Sequence, residues 1–305
     1  MNRPVPVDPA PGQTFPAPSG RDAGQHDQPR QQERNMTLRL SLKSALFGLS
    51  ALTLTASGAL ADQLSDIKAA GKIVAATEMH YAPFDMLEKG EYVGFDRDLF
   101  DEIAKELGVT PEYQDLPWTS ILPGLEVSKF DFVLAPVTMT AERAERYAFT
   151  LPISDSTVAF VQRTGGDMTA PEDAKGKTVG VQKGTAQQAQ LEAYGEKIGG
   201  IKIKEYGTPD EAYADLMTGR LDAVAGSAPL LDYLAKTRPE QFSVVKPPFG
   251  KPTYFAWVAR KGEGDTLVAA INEALIKIQD DGRMAALQEK WFGAATELPQ
   301  EMPEL

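Results

Sequence analysis

Along residues 62–293 the apolar positions change repeatedly from short runs to spacings of three and four, so strand-like and helix-like segments alternate. Residues 72–76 read as a strand, and 84–87 with 92–95 flank Glu88-Lys89-Gly90-Glu91 as a hairpin. Residues 96–107 set Leu99, Ile103 and Leu107 on one face and meet Gly108 at the stop, which predicts a helix. A strand at 112–116, a helix at 120–128 and a buried strand at 132–135 follow, the last leading into a helix start at Thr140-Ala141-Glu142-Arg143. Past Arg163-Thr164-Gly165-Gly166 the alternation resumes with a strand at 178–181 and a helix at 186–194. Thr208-Pro209-Asp210-Glu211 combines a capping hydroxyl, a first-turn proline and Glu three residues after the cap, which is a capping box. Gly219 ends that helix, strands follow at 221–225 and 253–259, and a long amphipathic helix carries Leu267, Ile271, Leu275 and Ile278.

This pattern predicts an α/β fold in two lobes of roughly 90 residues or more, in keeping with ordinary domain size. The glycines at 164–166 and the Pro/Gly-rich stretch at 246–252 are the natural crossing points between lobes. No internal sequence repeat is apparent.

Residues 1–35 depart from the pattern. They hold seven of the 22 prolines and almost no apolar periodicity, which predicts a disordered leader. From Met36 a basic stretch with Arg39 and Lys43, an apolar run at 45–54 and Ala59-Leu60-Ala61 form the three-part layout of a signal peptide at 36–61. The apolar run is short of the roughly 20 residues a membrane span needs. Cleavage is expected before Asp62, with translation starting at Met36 and a free, periplasmic mature protein.

Composition narrows the chemistry. With 42% hydrophobic and 24% charged residues the chain can build ordinary cores, and its net charge of −12 disfavours nucleic acid or an anionic membrane surface as partner. The absence of Cys excludes disulfides, thiolate metal sites and cysteine nucleophiles, and His26 and His80 are its only histidines. No cofactor or metal is expected, and binding is favoured over catalysis.

Several segments, in one order, resemble the extracellular solute-binding proteins of ABC importers for polar amino acids. They are Tyr81-Ala82-Pro83-Phe84, Gly94-Phe95-Asp96-Arg97-Asp98-Leu99, WTSILPGL at 118–125, Thr138-Met139-Thr140-Ala141-Glu142-Arg143, Gly184-Thr185, Gly219-Arg220-Leu221-Asp222-Ala223 and Lys290-Trp291-Phe292-Gly293. The resemblance covers residues 62–293. It implies a two-lobed periplasmic binding fold with two chain crossings and a ligand cleft, lobe one being 62–161 plus 253–305 and lobe two 162–252. Ligand contacts to both lobes would drive hinge closure. It also implies a monomer that carries a small solute with an anionic group to an ABC permease in the inner membrane.

The resemblance places candidate ligand-binding residues. Arg143 matches the carboxylate-binding arginine, and its planar fork suits a carboxylate in a way Lys does not; from spacing alone it could instead pair with Glu142 or Glu145 on the surface. Thr138, Thr185 and Ala186 would complete that anion site from a strand end and a helix start. Tyr81 and Trp118 occupy positions where aromatic groups meet the ligand side chain, although aromatics there are also ordinary core residues. Glu78 matches a position that reads the far end of the ligand side chain. Where relatives carry an Asp for the ligand's α-ammonium this chain has Ser227, so either Glu78 or a backbone carbonyl such as that of Pro136 compensates, or the ligand is an amine-free carboxylate or sulfonate.

Rival readings are weaker on residue grounds. Gly176-Lys177-Thr178 lacks the upstream glycine of a phosphate loop, with Pro171 in its place. A hydrolase would have only His80 as base in the mature chain, without a nucleophile elbow. A periplasmic dehydratase on the same fold would need an acid after Gly184-Thr185, where the chain has Ala186, Gln187 and Gln188.

Overall fold

The computed structural model describes residues 62–305, so the expected leader at 1–35 and signal peptide at 36–61 lie outside the described residues. Among the described residues two larger sheets form the centres of two lobes. In the first, Thr110–Asp115, Lys72–Thr77 and Phe132–Thr138 run parallel, and Tyr254–Arg260 then pairs antiparallel to Phe132–Thr138. In the second, Lys202–Tyr206, Thr178–Gln182 and Ala223–Ser227 run parallel, followed by antiparallel Val158–Arg163 and Phe242–Phe249. Each lobe thus has three parallel strands completed by an antiparallel strand that enters just after a chain crossing. The plan repeats where the sequence does not. Pro111 and the Pro247-Pro248 pair lie on edge strands, where a missing N–H costs no ladder bond on the open side.

The chain leaves the first sheet after Ser154–Asp155 and enters the second at Val158. It returns between Phe249 and Tyr254. Residues 158–161, expected in the first lobe, therefore pair in the second sheet, with Ser227 opposite Val158 and Val224 opposite Val161. All four are buried, because the strand is covered on both faces and shows no alternation to mark its start.

The helices cover the sheets as their apolar stripes require. Phe95–Leu107 and Asp265–Asp280 bury Leu99, Ile103, Leu267, Ile271, Leu275 and Ile278 on one face of the first sheet, where Phe100 stacks on Phe132 at 5.5 Å. Trp118–Glu126 covers the other face through Ile121 and Leu125, against Val133 and Val258. In the second lobe Val179, Val181, Ala223 and Ala225 face Ala186–Ile198, while Val161 and Val224 face Pro209–Met217 and Ala228–Thr237. No helix among the described residues is long and apolar enough to cross a membrane.

Two local features set the cleft. Both sheets aim the carboxyl ends of their parallel strands at it, the usual place for a ligand in an open α/β sheet. A hairpin, Asp85–Glu88 with Glu91–Val93, holds the segment before it through the pairing of Tyr81 with Asp85. Asp85 and Asp96 are both fully buried and face each other, and Tyr92 donates its hydroxyl to Asp85. Burial pushes both carboxyls up, Asp85 to about 7 and Asp96 well above its ordinary value. Gly94 closes the hairpin onto the helix at a φ of 148°, and a Cβ there would lie 2.0 Å from the Phe84 carbonyl oxygen.

Candidate functional site

Strand ends and the turns after them bring the site together. Glu78 follows Lys72–Thr77, Thr138 ends Phe132–Thr138, and Gln182 ends Thr178–Gln182. Phe132–Thr138 pairs with Lys72–Thr77 only through Phe132 and Val133, so Ala135, Pro136 and Thr138 project past its neighbour into the cleft. That overhang is where a central strand tolerates Pro136. The ends border a narrow cavity between the lobes.

Arg143 stands in its wall. Thr140 caps the short helix Ala141–Arg146 by accepting the Arg143 N–H at 3.2 Å, which fixes the start of the turn. The guanidinium donates from Nη1 to the Thr138 carbonyl at 3.0 Å and lies 5.5 Å from the centre of the Trp118 ring. Among the described residues it forms no salt bridge, so the surface pairs with Glu142 or Glu145 are not made. Burial lowers its pKa from the ordinary arginine value, yet guanidinium keeps its proton in proteins. A half-buried cation with free fork donors and no carboxylate partner among the described residues is suited to a carboxylate.

Hydrogen bonds join the lobes around the cavity. Trp118 Nε1 donates to the Gly184 carbonyl at 3.0 Å. Gln187 Nε2 donates to Thr138 Oγ1 at 3.1 Å, and the Thr138 and Ser156 hydroxyls are 2.9 Å apart. Gln182 Nε2 donates to Glu78 Oε2 at 2.7 Å, and the Tyr81 hydroxyl lies 3.4 Å from Ser227 Oγ. The lobes are held closed.

Glu78 is 4% exposed, and its Oε1 is buried with no hydrogen-bond partner among the described residues. Burial raises its pKa, and the Gln182 bond offsets part of that. Such an acid favours an incoming cation that would let it ionise. The Tyr81 ring is fixed against Phe84 at 6.0 Å and Phe255 at 6.2 Å, and forms part of the wall.

Seven of the nine residues expected from sequence line this cavity; Ala186 and Ser227 do not. Ala186 lines a more open hollow on the solvent side of Arg143 and Thr185. Ser227 is fully buried and meets only the Tyr81 hydroxyl, because its strand ends behind that ring. Thr185 has its hydroxyl engaged twice, donating to the Gln182 carbonyl at 2.8 Å and accepting from Gln188 N at 3.2 Å. Its backbone N–H, not its side chain, is therefore the group it can offer. Gln182 and Gln187 were missed; amides at a strand end and in a first helical turn carry no chemical signature beyond their burial.

Residues 73–294 match the bacterial extracellular solute-binding proteins, family 3. The chain belongs to this family. As a family 3 solute-binding protein it is 31% identical to the L-cystine-binding protein TcyJ of Escherichia coli strain K12, over 83% of this chain and 96% of that one. It is 30% identical to the arginine-binding periplasmic protein of Mannheimia haemolytica, over 74% and 94% of the two chains. The solved structure of an ancestral arginine-binding protein bound to arginine superposes with a TM-score of 0.68 at 34% identity, covering 73% of this chain and 99% of that one. The two-lobed binding-protein fold with two crossings and a cleft between lobes is that of these relatives.

Proposed function

We propose that this solute-binding protein captures a free amino acid in the cleft and delivers it to an ABC permease in the inner membrane, as a periplasmic monomer released before Asp62. The observation that carries the reading is Arg143, a half-buried cation without a carboxylate partner among the described residues, in the wall of an interlobe cavity. It would take the ligand's α-carboxylate, helped by the backbone N–H groups of Thr185 and Ala186 at the start of their helix. Glu78, with the Pro136 carbonyl nearby in the wall, would meet the α-ammonium that an Asp meets in relatives, while Tyr81 and Trp118 would flank the side chain. The names of the relatives, which bind cystine and arginine, support an amino acid, and both those ligands carry the α-carboxylate that Arg143 requires. Ala186, Gln187 and Gln188 stand directly after Thr185, where a dehydratase on this fold would carry its acid, which favours binding over that reaction.

The test is a thermal-shift screen of residues 62–305 over amino acids, opines, sulfonates and dicarboxylates. A ligand bound only by the folded state raises the melting temperature by mass action. An amino acid should give the largest shift; a shift from sulfonates or dicarboxylates alone would reject the reading.

A further inference from the structure

Behind the Tyr81 wall of the cleft, two acids meet where ligand binding does not use them. Asp85 opens the hairpin strand Asp85–Glu88, and Asp96 lies in the first turn of the helix Phe95–Leu107. Both are fully buried and within hydrogen-bonding reach of each other. Asp85 Oδ1 accepts from the Tyr92 hydroxyl. Written as two carboxylates, the pair would leave Asp85 Oδ2 and both Asp96 oxygens without a donor among the described residues. A proton between them supplies one, in a charge-assisted bond from one carboxyl to the other.

Nothing around the pair would balance a second negative charge. The groups that face it are Thr77, Glu78, Tyr81, Tyr92, Tyr113 and Trp257, from the neighbouring strands, the turns between them and the hairpin. Glu78 adds a like charge when ionised, and the others bring none near neutral pH. Arg97, next along the helix, donates to the Tyr92 carbonyl at 2.6 Å and lies 3.5 Å from Asp101. Among the described residues no cation forms a salt bridge to either acid, and two facing buried carboxylates repel with little screening.

This joint also carries the cleft wall. Asp96 holds the hairpin segment twice, its N–H donating to the Phe84 carbonyl at 3.0 Å and its side chain meeting Asp85. The Phe84 N–H donates to the Tyr81 carbonyl at 3.0 Å, and Tyr81 pairs with Asp85 across the ladder. The Tyr81 ring lines the cavity, with its hydroxyl 3.4 Å from Ser227 of the other lobe. We infer that Asp85 and Asp96 share a proton that locks the hairpin onto the helix and thereby sets the Tyr81 wall, so that the cleft loosens when alkaline conditions remove that proton to solvent.

Hydrogen exchange of the ligand-free protein between pH 5 and pH 9, corrected for the intrinsic rate, tests it by comparing residues 81–93 with strand 158–163 of the other lobe. Protection at 81–93 should fall by about tenfold or more relative to 158–163 as pH rises. Small-angle scattering of the same samples should show a larger radius of gyration at the alkaline end. Asp96→Asn keeps a neutral donor to Asp85 and should hold both readouts at their pH 5 values; Asp85→Asn should do the same, and decides alone if the first variant does not fold. Protection that stays constant with pH in the unaltered protein, or falls equally in the folded variants, would overturn the shared proton. A loosened hairpin with an unchanged radius would overturn its hold on the cleft. Neither readout uses a ligand, so the outcome is separate from which solute the cleft takes.

Discussion

Arg143 holds its place through neutral groups only: a carbonyl accepts one of its donors and an indole ring lies beside its charge. That leaves the fork available and makes its removal informative. Arg143→Ala should weaken amino acid binding by about 2–5 kcal/mol, and Arg143→Lys should recover part of this, since the charge returns but the planar fork does not. Calorimetry on both variants, with circular dichroism to verify folding, checks it. Glu78 gives a second expectation at this scale. Its pKa is raised by burial, and an ammonium ligand needs the ionised form, so affinity should fall as pH is lowered through the range where Glu78 takes up a proton. Glu78→Gln should abolish that pH dependence. Arg143, Glu78 and the aromatic pair were legible in the sequence because their chemistry and spacing stand out. Gln182 and Gln187 were not, since amides at a strand end and in a first helical turn read as ordinary until their burial is seen.

Among the elements, the hairpin at Asp85–Glu88 and Glu91–Val93 has the most distinctive energetics. Asp85 and Asp96 hold protons in the fold that they would release when unfolded, where an aspartate titrates near about 3.9. Over that interval the native state binds more protons, so stability is greatest below it and falls as pH rises through about 7 and beyond. Carboxylates held low by ion pairs, such as Asp281 beside Arg283, change only at more acid pH and do not mask this slope. The melting temperature should decline from pH 5 to pH 9, and Asp96→Asn should flatten the decline. A profile that is flat in wild type over that range would contradict the assignment. Gly94→Ala should cost about 2 kcal/mol or more, because its φ and the Phe84 carbonyl both exclude a Cβ. Helices with clear stripes and caps, such as Phe95–Leu107 and the box-capped Pro209–Met217, were readable from periodicity. Val158–Arg163 was not, because a strand buried on both faces has no alternation to read.

For the whole molecule, two lobes of one plan meet so that every described parallel strand but the two edge strands ends at the cleft or against the ring that borders it. The lobe plan followed from the order of strands and helices, whereas the first crossing came a few residues earlier than the Gly-rich signal suggested, because pairing partners decide it. Closure is carried by a few polar bonds between lobes, so losing one should shift the balance towards an open form and lower affinity. Trp118→Phe removes the bond to Gly184 while keeping an aromatic wall, and should weaken binding by about 1 kcal/mol. The most direct test of an amino acid held by its carboxylate between the lobes is a calorimetric titration comparing the best-binding amino acid with its own α-carboxamide. The acid should bind one to one and the amide at least about a hundredfold more weakly. Equal affinity for the two would contradict the account.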